Sequence, residues 1–132
     1  MKKTILATAL FLCLQISAQE NTKISTIDFV QIINNNKKEA IYYYQNNWEV
    51  LRKMAVKKGY IHSYQLLETK STKDAPFSFM LITTYKNQTQ FDAREKHFEE
   101  LIKTKGKLQL LNNKKPGEFR KTIFGKDVYH KE

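Results

Sequence analysis

Cysteine is nearly absent from this chain of 132 residues, in which Cys13 is the only one. It lies in an apolar stretch, Ile5–Leu14, that follows Lys2 and Lys3 and precedes a cleavage sequence ending at Ala18. This is the pattern of a secretory signal peptide, so we expect residues 1–18 to be removed on export. The mature chain would then hold no thiol, which excludes disulfides, cysteine-ligated metals and cysteine nucleophiles.

Long hydrophobic runs are absent as well. The apolar stretch has ten residues, whereas a transmembrane helix needs about 20. We therefore expect residues 19–132 to form one domain, periplasmic or extracellular, with no membrane span after signal removal. The sequence also lacks an HExxH zinc motif, a Gly-rich phosphate loop and a GxSxG nucleophile motif. It predicts neither a metal centre nor a cofactor.

Acidic residues are fewer than basic ones, with 13 Asp and Glu against 23 Lys and Arg, a formal charge of +10. Loss of Lys2 and Lys3 lowers this charge to +8. Export argues against a nucleic-acid partner. Two interpretations stay open: a solvated basic surface, or attraction to an anionic component of the cell envelope.

The apolar pattern alternates between strand and helix in the order strand, helix, strand, strand, helix, strand. We expect Asn36 and Thr89 to cap the two helices, and Gly59 and Gly106 to end them. This order is typical of a ferredoxin-like βαββαβ sandwich of the α+β class. The predicted strands are Ile27–Ile33, Tyr60–Thr69, Phe77–Tyr85 and a short one near Phe119–Phe124.

The strands are apolar on both faces. In the third strand, Phe77, Phe79 and Leu81 share one face, while Met80 and Ile82 share the other. The helices of such a sandwich cover one face of the sheet, so the second apolar face needs another cover. A second copy of the same sheet is the simplest candidate, and we therefore expect a homodimer.

Three segments carry a resemblance to a known fold family: the helix through Trp48-Glu-Val-Leu51, the strand Gly59–Gln65, and the loop and strand from Asp74-Ala-Pro-Phe77 to Thr83-Thr-Tyr85. Together they resemble the dimeric α+β barrel superfamily, which includes antibiotic-biosynthesis-monooxygenase-like and NIPSNAP-like domains. The resemblance covers residues 24–124. It implies that two sheets close face to face and that any ligand pocket lies between a sheet and its own helices.

The resemblance does not fix the chemistry, because oxygenases without cofactors, haem-degrading enzymes and binding proteins share this scaffold. The haem-degrading branch has a pattern of Asn, Trp and a haem-ligating His. That pattern does not map residue by residue onto Trp48, His62 and His97, which argues against haem degradation.

His62 is the candidate catalytic residue. It shares a face of the predicted second strand with Tyr60 and Tyr64, two residues away on either side. A histidine among tyrosines can act as a general base. The alternative is a partly buried strand histidine with a structural role.

Five further residues are candidates for ligand binding. Aromatic side chains in helix and strand suit a planar ligand, although they are also ordinary core residues. An arginine between Phe91 and Phe98 could bind a carboxylate, or extend from the helix edge into solvent. The candidates are Tyr44, Trp48, Tyr64, Arg94 and His97.

These patterns predict an exported homodimer that binds a small aromatic or anionic molecule. The alternative is a cofactor-independent monooxygenase-like or isomerase-like enzyme acting on a small aromatic substrate, with His62 as its base.

Overall fold

The computed structural model describes residues 21–131. The predicted export segment, with Cys13 and the cleavage position after Ala18, lies outside the described residues. No described helix is long and apolar enough to cross a membrane.

Four strands form one antiparallel sheet: β1 (Ile24–Ile32), β2 (Ser63–Glu68), β3 (Phe79–Tyr85) and β4 (Arg120–Tyr129). Their order in the sheet is β2-β3-β1-β4, and each neighbouring pair is antiparallel. This is the topology of two interleaved βαβ units, with β1 and β3 in the centre. The predicted ferredoxin-like α+β fold is confirmed.

The helices lie on one side of this sheet. The predicted end at Gly59 is confirmed, because this glycine has a φ of +71° directly after the last turn, and Gly106 ends the second long helix with a φ of +78°. The helical segments are α1 (Lys37–Tyr43), a π-helical segment (Tyr44–Trp48), α2 (Glu49–Lys57), α3 (Gln88–Asp92), α4 (Arg94–Lys105) and the short α5 (Pro116–Phe119).

The predicted helix caps hold only in part, since Asn36 is the N-cap residue of α1 but Thr89 is not the cap of its helix. The Asn36 side chain makes no cap hydrogen bond; it donates to the Glu118 carbonyl at 2.9 Å and accepts from Lys114 Nζ at 2.8 Å. Thr89 lies inside α3, whose cap is Asn87. Oδ1 of Asn87 accepts a hydrogen bond from the Gln90 N–H at 3.0 Å.

Two strand predictions also need correction. β2 begins at Ser63 rather than Tyr60, and β4 runs for ten residues rather than as a short strand. β4 contains a bulge: Phe29 pairs with Phe124 and Val30 with Thr122, so Ile123 is the extra residue between them.

The two faces of the sheet differ in their cover. On the helix side, a first buried cluster is centred on Val30, Phe79 and Phe119, and a second on Tyr85 and Leu101. We call the other side the open face.

The open face carries a row of apolar side chains across the three strands β3, β1 and β4. Ile27 pairs with Ile82 in the register of β1 and β3. Phe29 stacks on Phe124 with ring centroids 4.5 Å apart, and Phe124 is 45% exposed. Phe77 packs edge-on against Phe29 at 4.8 Å. Its predicted place beside Phe79 was wrong, because the chain joins β3 only at residue 79 and strand alternation does not extend to residue 77.

Candidate functional site

A cleft of about 430 Å³ opens on the helix side of the sheet, between β4 and the helices α2 and α4. The two buried clusters beneath the helices, with the half-buried residues packed against them, contain residues of β1, β2 and β3 but none of β4, so β4 is left as an open wall. The sheet contributes Thr26, Asp28, Tyr85, Gly125 and Asp127 to its lining, and the helices contribute Leu51, Arg52, Arg94, Phe98 and Ile102, with Glu95 and Lys126 also present.

Arg52 is the most enclosed charge in the cleft. Its guanidinium carbon lies 4.6 Å from the ring centroid of Trp48, one helical turn earlier, and 4.2 Å from that of Phe98 on α4. Its Nε donates to Thr83 Oγ1 at 3.1 Å. Burial lowers the pKa of Arg52 to about 10, so it remains a cation at neutral pH. Two aromatic rings and one hydroxyl thus fix this guanidinium, since aromatic faces attract cations.

Arg94 stands at the entrance, where α3 meets α4. One of its terminal nitrogens donates to the Phe91 carbonyl at 2.9 Å, and its guanidinium carbon lies 3.9 Å from the Phe91 ring centroid. A guanidinium has five N–H donors, so one anchored donor leaves others to face the cleft.

The sheet wall carries two carboxylates. Asp28 on β1 pairs with Gly125 on β4, and Asp127 pairs with Thr26, so both acids lie on the helix side. A Cβ atom at position 125 would lie 2.7 Å from Asp28 Oδ1, so Asp28 occupies space that any other residue at 125 would fill. Burial raises the pKa of Asp28; Arg52 opposes this effect and Asp127 adds to it.

These charges are not paired with one another. Within residues 21–131 the ion pairs are Lys37–Glu68, Lys58–Glu100 and Lys103–Glu99, all on the surface away from the cleft. Tyr85 lies 3% exposed at the cleft floor, and burial raises its pKa. The cleft therefore combines apolar surface with charges of both signs that are available to a ligand.

Metal binding has no such support in the described part of the chain, where no group of three or more His, Cys, Asp or Glu side chains comes together.

Comparisons with known proteins identify the fold. No protein-family model and no curated protein matches the chain. HapK from Hahella chejuensis is similar in structure, with a TM-score of 0.52 and 10% identity over 81% of this chain and 91% of HapK. A Bacteroides thetaiotaomicron protein of unknown function, described as a possible oxidoreductase, has a TM-score of 0.50 and 18% identity over 83% of this chain and 99% of its own.

A candidate antibiotic biosynthesis monooxygenase from Nitrosomonas europaea aligns less closely, with a TM-score of 0.45 and 15% identity over 85% of this chain and 92% of its own. At such low identities, the similarities with HapK and the Bacteroides protein are evidence for the fold alone. They agree with the ferredoxin-like α+β fold of the sheet and helices.

Three predicted site residues lie in or beside the cleft. Arg94 lines it directly. Trp48 lies behind it, against the Arg52 guanidinium. Tyr64 packs edge-on against Trp48 with ring centroids 5.8 Å apart, one residue further from the cleft.

The other three lie elsewhere. Tyr44 is 3% exposed in the first buried cluster, packed against Phe79, and burial raises its pKa. The His97 ring stacks on Tyr60 at 3.7 Å, and its Nδ1 is buried without a hydrogen-bond partner among the described residues. The His62 side chain is exposed, and its backbone N–H donates to the Thr84 carbonyl at 2.8 Å. The expected row of His62 with Tyr60 and Tyr64 does not form, because the strand starts at residue 63.

Sequence reasoning missed Asp28, Arg52 and Tyr85. A signal was present for two of them. Arg52 follows Trp48 by four residues, which places both on one helix face. Asp28 lies two residues before Val30 and therefore on the same face of β1.

Proposed function

We propose that this protein is exported, pairs with a second copy of itself, and binds a small aromatic or anionic molecule in the cleft between its sheet and helices. The observation that carries the proposal is the cleft itself, where Arg52 and Arg94 face an apolar surface without carboxylate partners. A cavity of about 430 Å³ lies within the usual range of small-molecule sites, about 300–1,000 Å³.

The arginines suit an anionic group. Arg52 is held in place by Trp48, Phe98 and Thr83, so little side-chain entropy is lost when a ligand binds. Guanidinium groups bind carboxylates through paired hydrogen bonds. The ring of Phe98 and the side chain of Leu51 supply the apolar contact that an aromatic ligand requires.

The open face supports pairing with a second copy. Ile27, Phe29, Met80 and Ile82 form a continuous apolar surface across the central strands β1 and β3. Apolar surface of this kind is favourably buried against a like surface, and a two-fold pairing presents the same residues from both partners.

Ligand binding is tested by two-dimensional amide NMR of the purified protein, titrated with a panel of small aromatic carboxylates and phenols. We expect shift changes at Leu51, Tyr85 and Phe98, and about ten-fold weaker binding in Arg94→Gln. Lys53→Gln is the matched control, since Lys53 is an exposed cation on α2. Shift changes confined to another surface, or equal losses in both variants, contradict the proposal.

Native mass spectrometry tests the pairing and the export together. Protein purified gently from the exported fraction of an expressing bacterium should start at Gln19 and have the mass of a dimer. Additional mass on that dimer would begin to identify the ligand. A chain retaining residues 1–18 argues against export, and a monomer argues against the paired open faces.

An enzyme is the second candidate, because Asp28 places a titratable acid inside the cleft beside two arginines. In this view the protein is a cofactor-independent monooxygenase-like or isomerase-like enzyme acting on a small aromatic substrate. The comparison of His62→Ala with Asp28→Asn distinguishes the two possible bases. Loss of turnover with retained binding identifies the base, and absence of turnover in the wild type on quinols and polyphenols counts against an enzyme.

A further inference from the structure

The two walls of the cleft carry opposite charges. Both arginines come from the helices, Arg52 from α2 and Arg94 from α4, whereas Asp28 and Asp127 come from the sheet. Glu95 on α4 and Lys126 on β4 also line the cleft, and both are exposed, so each reduces the net charge of its own wall without reversing its sign. A molecule in the cleft therefore lies between a cationic wall and an anionic wall.

This separation is maintained by packing rather than by chance exposure. The guanidinium of Arg52 is fixed between Trp48 and Phe98, and that of Arg94 on Phe91. No described carboxylate lies within ion-pair distance of either arginine. Asp28 is placed over Gly125, the residue that leaves it room. Both guanidinium groups and Asp28 are thus held in place before any ligand arrives, and Asp127 lines the same cleft from β4.

A simple anion can form ion pairs with only one of the two walls. Its carboxylate would gain hydrogen bonds from the arginines but would leave Asp28 and Asp127 unpaired on the opposite wall. A simple cation has the reverse difficulty. Enclosing charges without partners is unfavourable, whereas a ligand with one group of each sign satisfies both walls.

We infer that the ligand is a zwitterion, an α-amino acid with an apolar or aromatic side chain, whose carboxylate binds Arg94 and Arg52 and whose ammonium binds Asp127 and Asp28. The side chain then lies against Phe98 and Leu51. This inference rests on the proposed binding function and names its ligand class.

Three probes of one carbon skeleton test it: L-phenylalanine, 3-phenylpropionate, which lacks the ammonium, and 2-phenylethylamine, which lacks the carboxylate. Affinities are measured by amide NMR titration of the purified protein at constant pH and salt. We expect phenylalanine to bind at least about ten-fold more tightly than either analogue.

Two variants assign the charges to their walls. Asp127→Asn should remove most of the preference for phenylalanine over phenylpropionate and leave phenylpropionate binding unchanged or stronger. Arg94→Gln should remove most of the preference over phenylethylamine. Lys53→Gln should change neither preference. Asp127 is exposed, so its substitution is not expected to prevent folding.

The outcomes separate this inference from the proposal beneath it. If phenylpropionate binds at the cleft residues as tightly as phenylalanine, the inference of a zwitterionic ligand is wrong. The proposed binding of a small molecule in the cleft is then still supported. Failure of all three probes to bind also overturns the inference, and the proposed function is then judged by the wider panel of aromatic acids and phenols alone.

Discussion

The two faces of the sheet use similar side chains in different surroundings. On the helix side, Val30 and Phe119 are 0% exposed, whereas on the open face Phe124 is 45% exposed. Both faces are apolar, but only one is covered within the subunit. The sequence pattern of a strand reports that a face avoids water, not whether the cover comes from the same chain or another one.

The largest expected effect is a core deletion on the covered face. Phe119→Ala should lower the free energy of unfolding by about 3–5 kcal/mol, because it removes a fully buried ring that packs against Tyr43. Phe124→Ala, the same change on the open face, should cost much less at low protein concentration. Urea unfolding of both variants measures the difference. Equal losses in the free energy of unfolding would contradict the distinction between a covered face and an open face.

A charge on the open face is expected to change assembly rather than folding. Ile82→Lys places an ammonium in the centre of the apolar row, opposite Ile27, and should convert a dimer into a monomer with unchanged circular dichroism. Gln45→Lys adds the same charge at an exposed helix position. Size-exclusion chromatography with light scattering measures the molar mass of both variants. If Ile82→Lys remains a dimer, the dimer interface is not the open face.

A methyl group at Gly125 tests how tightly the cleft wall is built. Gly125→Ala should destabilise the protein by about 1–3 kcal/mol, because the new Cβ would lie 2.7 Å from Asp28 Oδ1. Combining it with Asp28→Ala should remove most of that loss, since the clash then has no partner. Additive effects in thermal unfolding would show that the contact does not limit position 125.

The smallest effect concerns the charge of Asp28 and depends on pH. Burial raises the pKa of this carboxyl above its ordinary value of 3.8, so the folded state binds the proton more readily than the unfolded chain. Its contribution to stability is therefore present below pH 3.8 and is lost as pH rises through the folded-state pKa. Asp28→Asn should raise stability at pH 7 and have little effect at pH 3. A gain of equal size at both values would contradict this origin.

The order of helices and strands was predictable because it depends on local periodicity. The cap hydrogen bonds were not. Asn36 has the right chemistry for a cap, but its amide bonds to Glu118, 82 residues later. Such a partner can be found only once the chain has folded, and it competes with the local hydrogen bond.

The same reason limits what the sequence says about the cleft. Arg94 could be singled out because aromatic residues flank it in the sequence. Arg52 owes its position to Thr83 and Phe98, which lie 31 and 46 residues away. An arginine on an amphipathic helix ordinarily faces water. The spacing from Trp48 places Arg52 on the aromatic face of its helix, but its enclosure by Thr83 and Phe98 arises only when the chain has folded. His62 illustrates the opposite error, because strand alternation was extended over residues that precede the strand.

The bulge at Ile123 has a consequence for both surfaces at once. Before it, Arg120 lies on the helix side, where its guanidinium carbon is 5.3 Å from the Tyr43 ring centroid. After it, the parity of β4 is reversed, so Asp127 turns towards the cleft and Phe124 towards the open face. If the same residues, Ile123 included, formed a regular strand without a bulge, Phe124 and Asp127 would exchange sides. The bulge thus decides which surface receives the ring and which receives the carboxylate.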